Sequence, residues 1–341
     1  MSGKPTSVDV AQRAGVSQSA VSRVFSGASA SPETARKVRE AAAALGYRPN
    51  VLARSLITGR SRIVGLVVAY MRNQFYPEAI ERLSQALGAQ GYHILLFMVG
   101  NDGDMGDVIE RMIDHQVDGI VAASVAVDAA LARRCAAAGI PVVLFNRGAD
   151  GAGLTQVTSA NRAGGRAVAE FLLAGGHRRM AQVTGWRGAT TGRDRAEGFR
   201  EALREAGAAP AAEADGMFRR DAAARAALEI WAAERPDAIF VGNDHMAFGV
   251  IDALRAAGAR VPEDVSVVGY DDVGPASWRA YDLTTVRQPA ARMVEAAVGA
   301  LMALIDEPGR GATRIEIEGP LIVRGSARRP AGVPRSPQEG P

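Results

Sequence analysis

From residue 62 onward the chain alternates between two hydrophobic rhythms. Short apolar runs, "IVGLVVAY" (63–70), "YHILLFMV" (92–99), "GIVAAS" (119–124) and "PVVLFN" (141–146), are separated by helix-sized segments, the first an amphipathic stretch from Pro77 to about Gln90. Short apolar runs bounded by such segments read as buried strands between helices. The pattern restarts after residue 160, with a helix to Ala174, "MAQVTG", a helix from 194, "AIFVGN" (238–243), a further helix and "VSVVGY" (265–270). Parallel strands need crossover helices, so the expected class is α/β with two doubly wound sheets. Two such halves imply two lobes, with a cleft where the strand ends converge.

The first 46 residues follow a helical rhythm only. Thr6 or Ser7 is placed to N-cap a helix that runs to about Ala14, with Gly15 as the turn. Ser17 caps a second helix, "QSAVSRVFSG", ending at Gly27. Ser31, Pro32 and Gly46 supply the N-cap, first position and stop of a third. Val10, Ala14, Val16, Val21, Val24, Val38 and Leu45 give these helices a small common core. A helix, a glycine turn and a second capped helix form a helix-turn-helix pattern.

Charge sharpens this division. The formal net charge is +3, yet residues 1–62 hold ten Lys and Arg against Asp9, Glu33 and Glu40, and the remainder is mildly acidic. A basic module on an acidic body points to a polyanionic partner at one end. The start has no apolar signal-like core, and no uninterrupted apolar run approaches the ~18 residues of a membrane span, so a cytoplasmic protein is expected. Cys135 is the single cysteine and the four histidines have no metal-ligand spacing, so neither metal nor cofactor is expected.

Between the two parts lies "RPNVLARSLITGRS" (48–61), which is not a flexible Gly/Ser linker. From Asn50 to Thr58 it allows little more than two helical turns, which are marginal in water alone. Leu52 and Leu56 fall one turn apart on one face, with Arg54, Arg60 and Arg62 around them.

Four blocks in register, "TSVDVAQRAGVSQSAVSRVFSG", "GYRPNVLARSL", "FVGNDHMAFGV" and "VPEDVSVVGYDD…LTTVRQP", resemble the lactose/galactose repressor family of bacterial transcription regulators, from about Thr6 to Arg324. The resemblance implies an all-α helix-turn-helix headpiece (1–48), a hinge helix (49–61) and a two-lobed body like the type 1 periplasmic sugar-binding proteins (62–326, lobes about 62–159 and 160–286, with the C-terminal segment crossing between them). Residues 327–341, rich in Pro and Gly, are expected to be a disordered tail.

In a helix-turn-helix the early residues of the second helix reach base edges, which here are Ser17, Gln18 and Ser19, then Ser22 and Arg23. Gln18 suits adenine and Arg23 guanine, and the family's usual base readers match Gln18, Ser19 and Arg23. Thr6, Ser7, Ser17, Ser22 and Asn50 suit phosphate contacts. The resemblance further implies that two hinge helices pack through Leu52, Ala53 and Leu56, and that Leu56 wedges into the minor groove while Arg54 and Asn50 meet the backbone. A homodimer on a pseudo-palindromic operator follows, and the absence of leucine after residue 324 argues against a tetramerising helix.

For a small-molecule effector between the lobes, the resemblance marks Arg195 as the ligand-holding arginine and Phe75, Phe218 and Trp278 as ring positions. Asn243 and Asp271 close strands on the cleft side, and Ser124 is a weaker strand-end candidate. Asp271 and Asp272 have local capping or pairing as their alternative, Asn243 has capping of the next helix, and Phe218 and Trp278 have interlobe core. Gln74 and Ala160 depart from the family's usual proline and aspartate, so the effector's identity is not carried over. The Arg/Asn/Asp set favours a sugar or sugar acid, while aromatic walls also suit a purine. A transporter's solute-binding protein would share the body but not the headpiece. An enzyme built on Asp271 and Asp272 is disfavoured, because adjacent strand residues face opposite sides.

Overall fold

The computed structural model describes residues 5–26, 29–48, 59–69, 71–99, 105–125, 127–149 and 153–336. The chain divides into two compact units at Arg62 and Ile63.

The first unit contains α1 (Ser7–Ala14), α2 (Gln18–Ser26) and α3 (Pro32–Leu45). Their starts and stops are written in side chains. Thr6 and Asp9 form a reciprocal capping box, Ser17 accepts from Ala20 N–H, and Ser31 accepts from Thr34 N–H ahead of Pro32. Gly15 and Gly46 end α1 and α3 in the left-handed region that favours glycine. Val10, Val21, Val24 and Val38 form the centre of the core, joined by Ala11, Ala41 and Ala42, while Ala14, Val16 and Leu45 pack at its edge. The hinge residues Asn50, Leu52, Ala53, Arg54 and Leu56 lie outside the described residues.

The second unit is built on two six-stranded sheets. Its N-terminal lobe holds β1 (Ile63–Val68), α4 (Phe75–Ala89), β2 (His93–Met98), α5 (Met105–Asp114), β3 (Gly119–Ala123), α6 (Ala129–Ala137), β4 (Val142–Phe145) and β5 (Thr155–Ser159). The chain then enters the C-terminal lobe through α7 (Asn161–Ala174), β6 (Met180–Thr184), α8 (Thr190–Glu205), β7 (Ala212–Asp215), α9 (Arg220–Glu234), β8 (Ala238–Val241), α10 (Asp244–Ala256), β9 (Ser266–Asp271) and β10 (Thr284–Arg287). It returns through α11 (Ala290–Asp306) and β11 (Arg314–Ile317), and ends with β12 (Leu321–Ile322). Strand order is β11-β5-β4-β3-β1-β2 in one sheet and β12-β10-β9-β8-β6-β7 in the other, parallel except for β12 against β10. Three connections therefore cross between the lobes, after β5, β10 and β11.

Each central strand is buried on both faces, which is why the runs read as continuously apolar. Leu66 and Val68 face one side of the N-terminal sheet with Leu83, Leu87, Met293 and Leu301. Val67 faces the other with Ile109, Met112 and Cys135. α7 and α8 touch backbone to backbone: a side chain at Gly165 would collide with the Arg195 carbonyl, and one at Gly198 with that of Arg162. That close approach sets Arg195 beside the start of α7.

Three expectations change. α8 begins at Thr190 rather than 194, because its first turn is secured by tertiary contact, with Thr190 Oγ1 accepting from Gly148 N–H at 2.9 Å. The strands β5, β7, β10 and β11 are too polar or too short to stand out by hydropathy, and β7, β11 and β12 are sheet edges. Residues 327–336 are an ordered strap, not part of a disordered tail. Ala327 is buried in the C-terminal lobe, Ser336 exchanges two hydrogen bonds with Val323, and Arg335 pairs with Asp282.

Candidate functional site

In the headpiece, Ser17, Gln18, Ser19, Ser22 and Arg23 are all solvent-exposed, along one side of α2, while Val21 and Val24 hold the opposite side in the core. Gln18 Nε2 donates to Ser7 Oγ at 3.0 Å, and the hydroxyls of Ser17 and Ser19 lie 2.9 Å apart. This network ties the start of α2 to the start of α1. Thr6 is exposed and Ser7 half-buried at that same end.

In the body, the C-terminal ends of strands from both lobes enclose a small cavity. Asn73, Tyr76, Ser124, Asn146, Thr191, Arg195, Phe218, Asn243 and Asp271 line it. Asn73, Tyr76, Ser124 and Asn146 come from the N-terminal lobe and the others from the C-terminal lobe. Arg195 and Asp271 are at its centre, each 3% exposed, with Nη1 and Oδ1 3.2 Å apart. Both already make several bonds. Arg195 donates from Nε to Asn161 Oδ1 (2.8 Å) and from Nη1 to the Gly242 carbonyl (2.7 Å), and its guanidinium lies 3.7 Å from the Tyr270 ring centre. Asp271 accepts from Gln288 Nε2 at 2.6 Å and, across the cleft, from Asn73 Nδ2 at 2.7 Å. Burial raises the Asp271 carboxyl against the opposing pull of Arg195, Asn73 and Gln288.

Two features mark the cavity as built for more than packing. Ser124, Asn146, Phe218 and Asp271 all have positive φ, at 61°, 54°, 54° and 123°. Non-glycine residues are held there at a cost, and such strain gathers where a fixed polar geometry is needed. Asn146 is 4% exposed and gives Nδ2 to the Tyr76 phenol at 3.2 Å, while its Oδ1 has no partner among the described residues. A buried acceptor left open costs stability unless a donor arrives.

The predicted effector residues divide. Arg195, Asp271, Asn243, Ser124 and Phe218 meet at the cavity. Asn243 also caps α10, accepting from Met246 N–H at 2.9 Å. Phe75 does not line it; this ring is in the N-terminal lobe core, stacked on Phe145 and edge-on to Tyr76, whose hydroxyl-bearing ring takes the cavity position. Trp278 is also misplaced, being 59% exposed after a 3-10 turn. Sequence reading missed Asn73, Asn146 and Gln288; the position of Asn146 directly after the run "PVVLF" was the available signal. Gln74 is exposed, and Ala160 is an N-cap without a capping side chain, beside Asn161, which reaches Arg195. Asp272 takes no part in the cavity: Arg287 and Arg324 hold it at 2.7 Å each.

Residues 7–50 match the bacterial regulatory proteins of the lacI family, and residues 169–327 match a periplasmic binding protein-like domain. The ribose operon repressor of Escherichia coli (strain K12) is 31% identical over 330 residues, which cover 94% of this chain and 99% of that one. The chain belongs to the lacI family of bacterial regulatory proteins. Among solved structures, a lac repressor dimer bound to operator and the anti-inducer ONPF matches with TM-score 0.85 and 26% identity, over 95% of this chain and 99% of that one. A transcriptional regulator CelR–cellobiose complex matches with TM-score 0.71 and 33% identity, over 95% and 100%. This lacI-family protein is a transcriptional regulator with a DNA-binding headpiece and a two-lobed body. Among the described residues no helix is long and apolar enough to cross a membrane, and no cluster of metal-ligating side chains occurs.

Beneath the cavity lies Asp244, wholly buried, accepting from Thr285 Oγ1 at 2.6 Å and from Val273 N–H at 3.0 Å. Burial and the neighbouring Asp271 charge push its carboxyl well above the usual carboxylate range. A raised folded-state value means that stability is fully present below the ordinary aspartate pKa of about 3.9 and is lost as pH rises through the raised value. Asp244→Asn should remove that loss. The melting midpoint of the wild type, relative to the variant, is expected to fall steadily as pH rises from about 4, and parallel curves would mean that Asp244 does not carry the proton.

Proposed function

We propose that this protein is a dimeric repressor whose operator affinity is set by a small, hydroxyl-rich effector, a sugar or sugar acid, bound between the lobes. The observation that carries the reading is the lining of the cavity, which at about 10 Å³ holds no more than a water until the lobes part: buried donors and acceptors from both lobes, three strained strand ends with Phe218 strained in the turn before α9, and an open acceptor on Asn146. Pairs of ligand hydroxyls would match Asp271, Asn146 and Asn243, each able to accept, and Arg195, which only donates. Phe218 supplies an apolar wall for the C–H face of a ring. The amides and charges outnumber the aromatic rings, which favours a polyol over a flat base. A relative named for the ribose operon and a solved complex with cellobiose are consistent with a sugar.

At the other end, Gln18, Ser19 and Arg23 read base edges while Thr6, Ser7, Ser17 and Ser22 position the headpiece on phosphates. The hinge segment adds Asn50 and Arg54 at the backbone, pairs two copies through Leu52 and Ala53, and inserts Leu56 into the minor groove. The likeness to a dimer on operator supports this arrangement. The protein acts through binding, with no catalytic role for Asp271 and Asp272.

A gel shift on the region upstream of the protein's own operon tests the reading. Sequence-specific binding that responds to a sugar panel is expected, and no specific shift under any condition would contradict it. Arg195→Ala would strand Asp271 as an unpaired buried charge, at a cost of about 3–5 kcal/mol, so Arg195→Lys is the sharper probe. Lysine keeps the charge but loses the fork, and effector affinity should fall at least roughly tenfold with the melting midpoint nearly held. An unchanged affinity would place the effector elsewhere. In the same assay Leu56→Ala should weaken operator binding far more than binding to random DNA, and equal losses would refute the wedge.

A further inference from the structure

The first residues of α1 and α2 are joined by a side-chain bond. Ser7 opens α1 and Gln18 opens α2, 11 positions later, and Gln18 Nε2 donates to Ser7 Oγ at 3.0 Å. Both ends of that bond are anchored. At the start of α1, Asp9 Oδ2 accepts from the Thr6 backbone N–H at 2.7 Å and from the Thr6 hydroxyl at 2.8 Å. These two donors hold the Asp9 carboxyl below the usual carboxylate range, so the capping box stays charged and closed near neutral pH. At the start of α2, Ser17 Oγ accepts from Ala20 N–H at 3.2 Å, and Val21, 1% exposed, fixes the core side. Gln18 therefore stands in solvent while its amide is tied to the half-buried Ser7.

Counting donors and acceptors gives this tie a direction. A serine hydroxyl has one hydrogen to give and two lone pairs, and a glutamine amide has two N–H hydrogens and one oxygen. A DNA phosphate oxygen only accepts. When Ser7 gives its hydrogen to a phosphate, it can only accept from Gln18, so the amide must turn its nitrogen toward Ser7. One N–H and the carbonyl oxygen of Gln18 are then left for a base. That pair matches adenine, which presents N7 as acceptor and N6 as donor in the major groove. Guanine presents two acceptors, N7 and O6, and would need both N–H groups.

We propose that Ser7 is a positioning residue that turns a phosphate contact into base selectivity: seated on the backbone, it orients the Gln18 amide to require an A·T pair in each half-site. This role presupposes that α2 reads DNA. Phosphate contacts carry no sequence information of their own. Through Ser7 one of them acquires it, because the amide is oriented only when the headpiece is seated on the backbone.

Sites selected from a randomised duplex pool by the full-length protein supply the probe. Gln18→Ala should lose its preference at one position of each half-site, and that position should be an A·T pair in the wild-type consensus. Fluorescence anisotropy at one salt concentration then compares the consensus duplex with the same duplex carrying G·C there. The ratio of the two dissociation constants should fall at least roughly fivefold in Ser7→Ala and in Ser7→Val, and hold in Ser7→Thr, which keeps the hydroxyl and is isosteric with valine. Loss of a phosphate contact alone weakens both duplexes equally. Retained binding of random-sequence duplex shows that a variant headpiece is folded, and the Thr and Val pair decides where Ser7→Ala loses it. Equal weakening of both duplexes, a ratio unchanged without the hydroxyl, or a G·C pair at the Gln18-dependent position would overturn the role of Ser7. So would the lack of any Gln18-dependent position, although positions that depend on Arg23 would leave DNA reading by α2 standing. A wild-type protein that selects no consensus would remove both.

Discussion

A guanidinium and a carboxylate buried face to face between two lobes is the constraint on which the body of this regulator depends. Neither Arg195 nor Asp271 has water to fall back on, so every lone pair and proton around them must be matched by protein. Asn161 and Gly242 do this for the arginine, Gln288 for the aspartate, and Asn73 reaches over from the other lobe to complete the set. Most of these groups are fixed to strand ends or helix starts of one lobe. Asn73 is attached to the other, so the satisfaction of the buried pair is linked to how the lobes meet.

That linkage explains how a ligand can act at a distance. Both Asp271 oxygens already accept hydrogen bonds from protein groups. A ligand hydroxyl that engages Asp271 must therefore exchange with Asn73 or Gln288 rather than simply add to them. Its net gain differs between lobe arrangements, and only such a difference can shift a population. Asn146, with its open acceptor, offers the ligand a bond that costs nothing to vacate. A cleft that mixes exchanged and new bonds responds to ligand shape more than to total affinity.

The sequence was most legible where local chemistry alone decides. Caps at Thr6, Ser17 and Ser31 and stops at Gly15 and Gly46 lie where side-chain reach and left-handed backbone require them. The buried strands were legible for the same reason, since burial on both faces demands unbroken apolar runs. The polar strands β5, β7, β10 and β11 were not, because their placement follows from neighbouring strands rather than from their own pattern. The ordered strap at 327–336 was hidden likewise: Pro and Gly set its shape, but buried Ala327 and the Val323–Ser336 pairing hold it. At the site, Arg195, Asp271, Asn243, Ser124 and Phe218 were recognisable by resemblance or strand-end position. Phe75 and Trp278 were misread because aromatic character does not tell which side of a helix or turn faces the cleft, and the adjacent Tyr76 occupies the place expected of Phe75. Asn73 and Gln288 become meaningful only once folding sets them against a residue about two hundred or about seventeen positions away.

Control of DNA binding by a cleft ligand is a claim about coupling, and coupling is reciprocal. Its most direct test is to measure the effector's dissociation constant with the protein free and with the protein saturated by operator, alongside the operator's dissociation constant with and without effector. The two ratios should be equal and differ from one, and Arg195→Lys should bring both toward one. Effector affinity identical on and off the operator would contradict it, however tightly the effector binds.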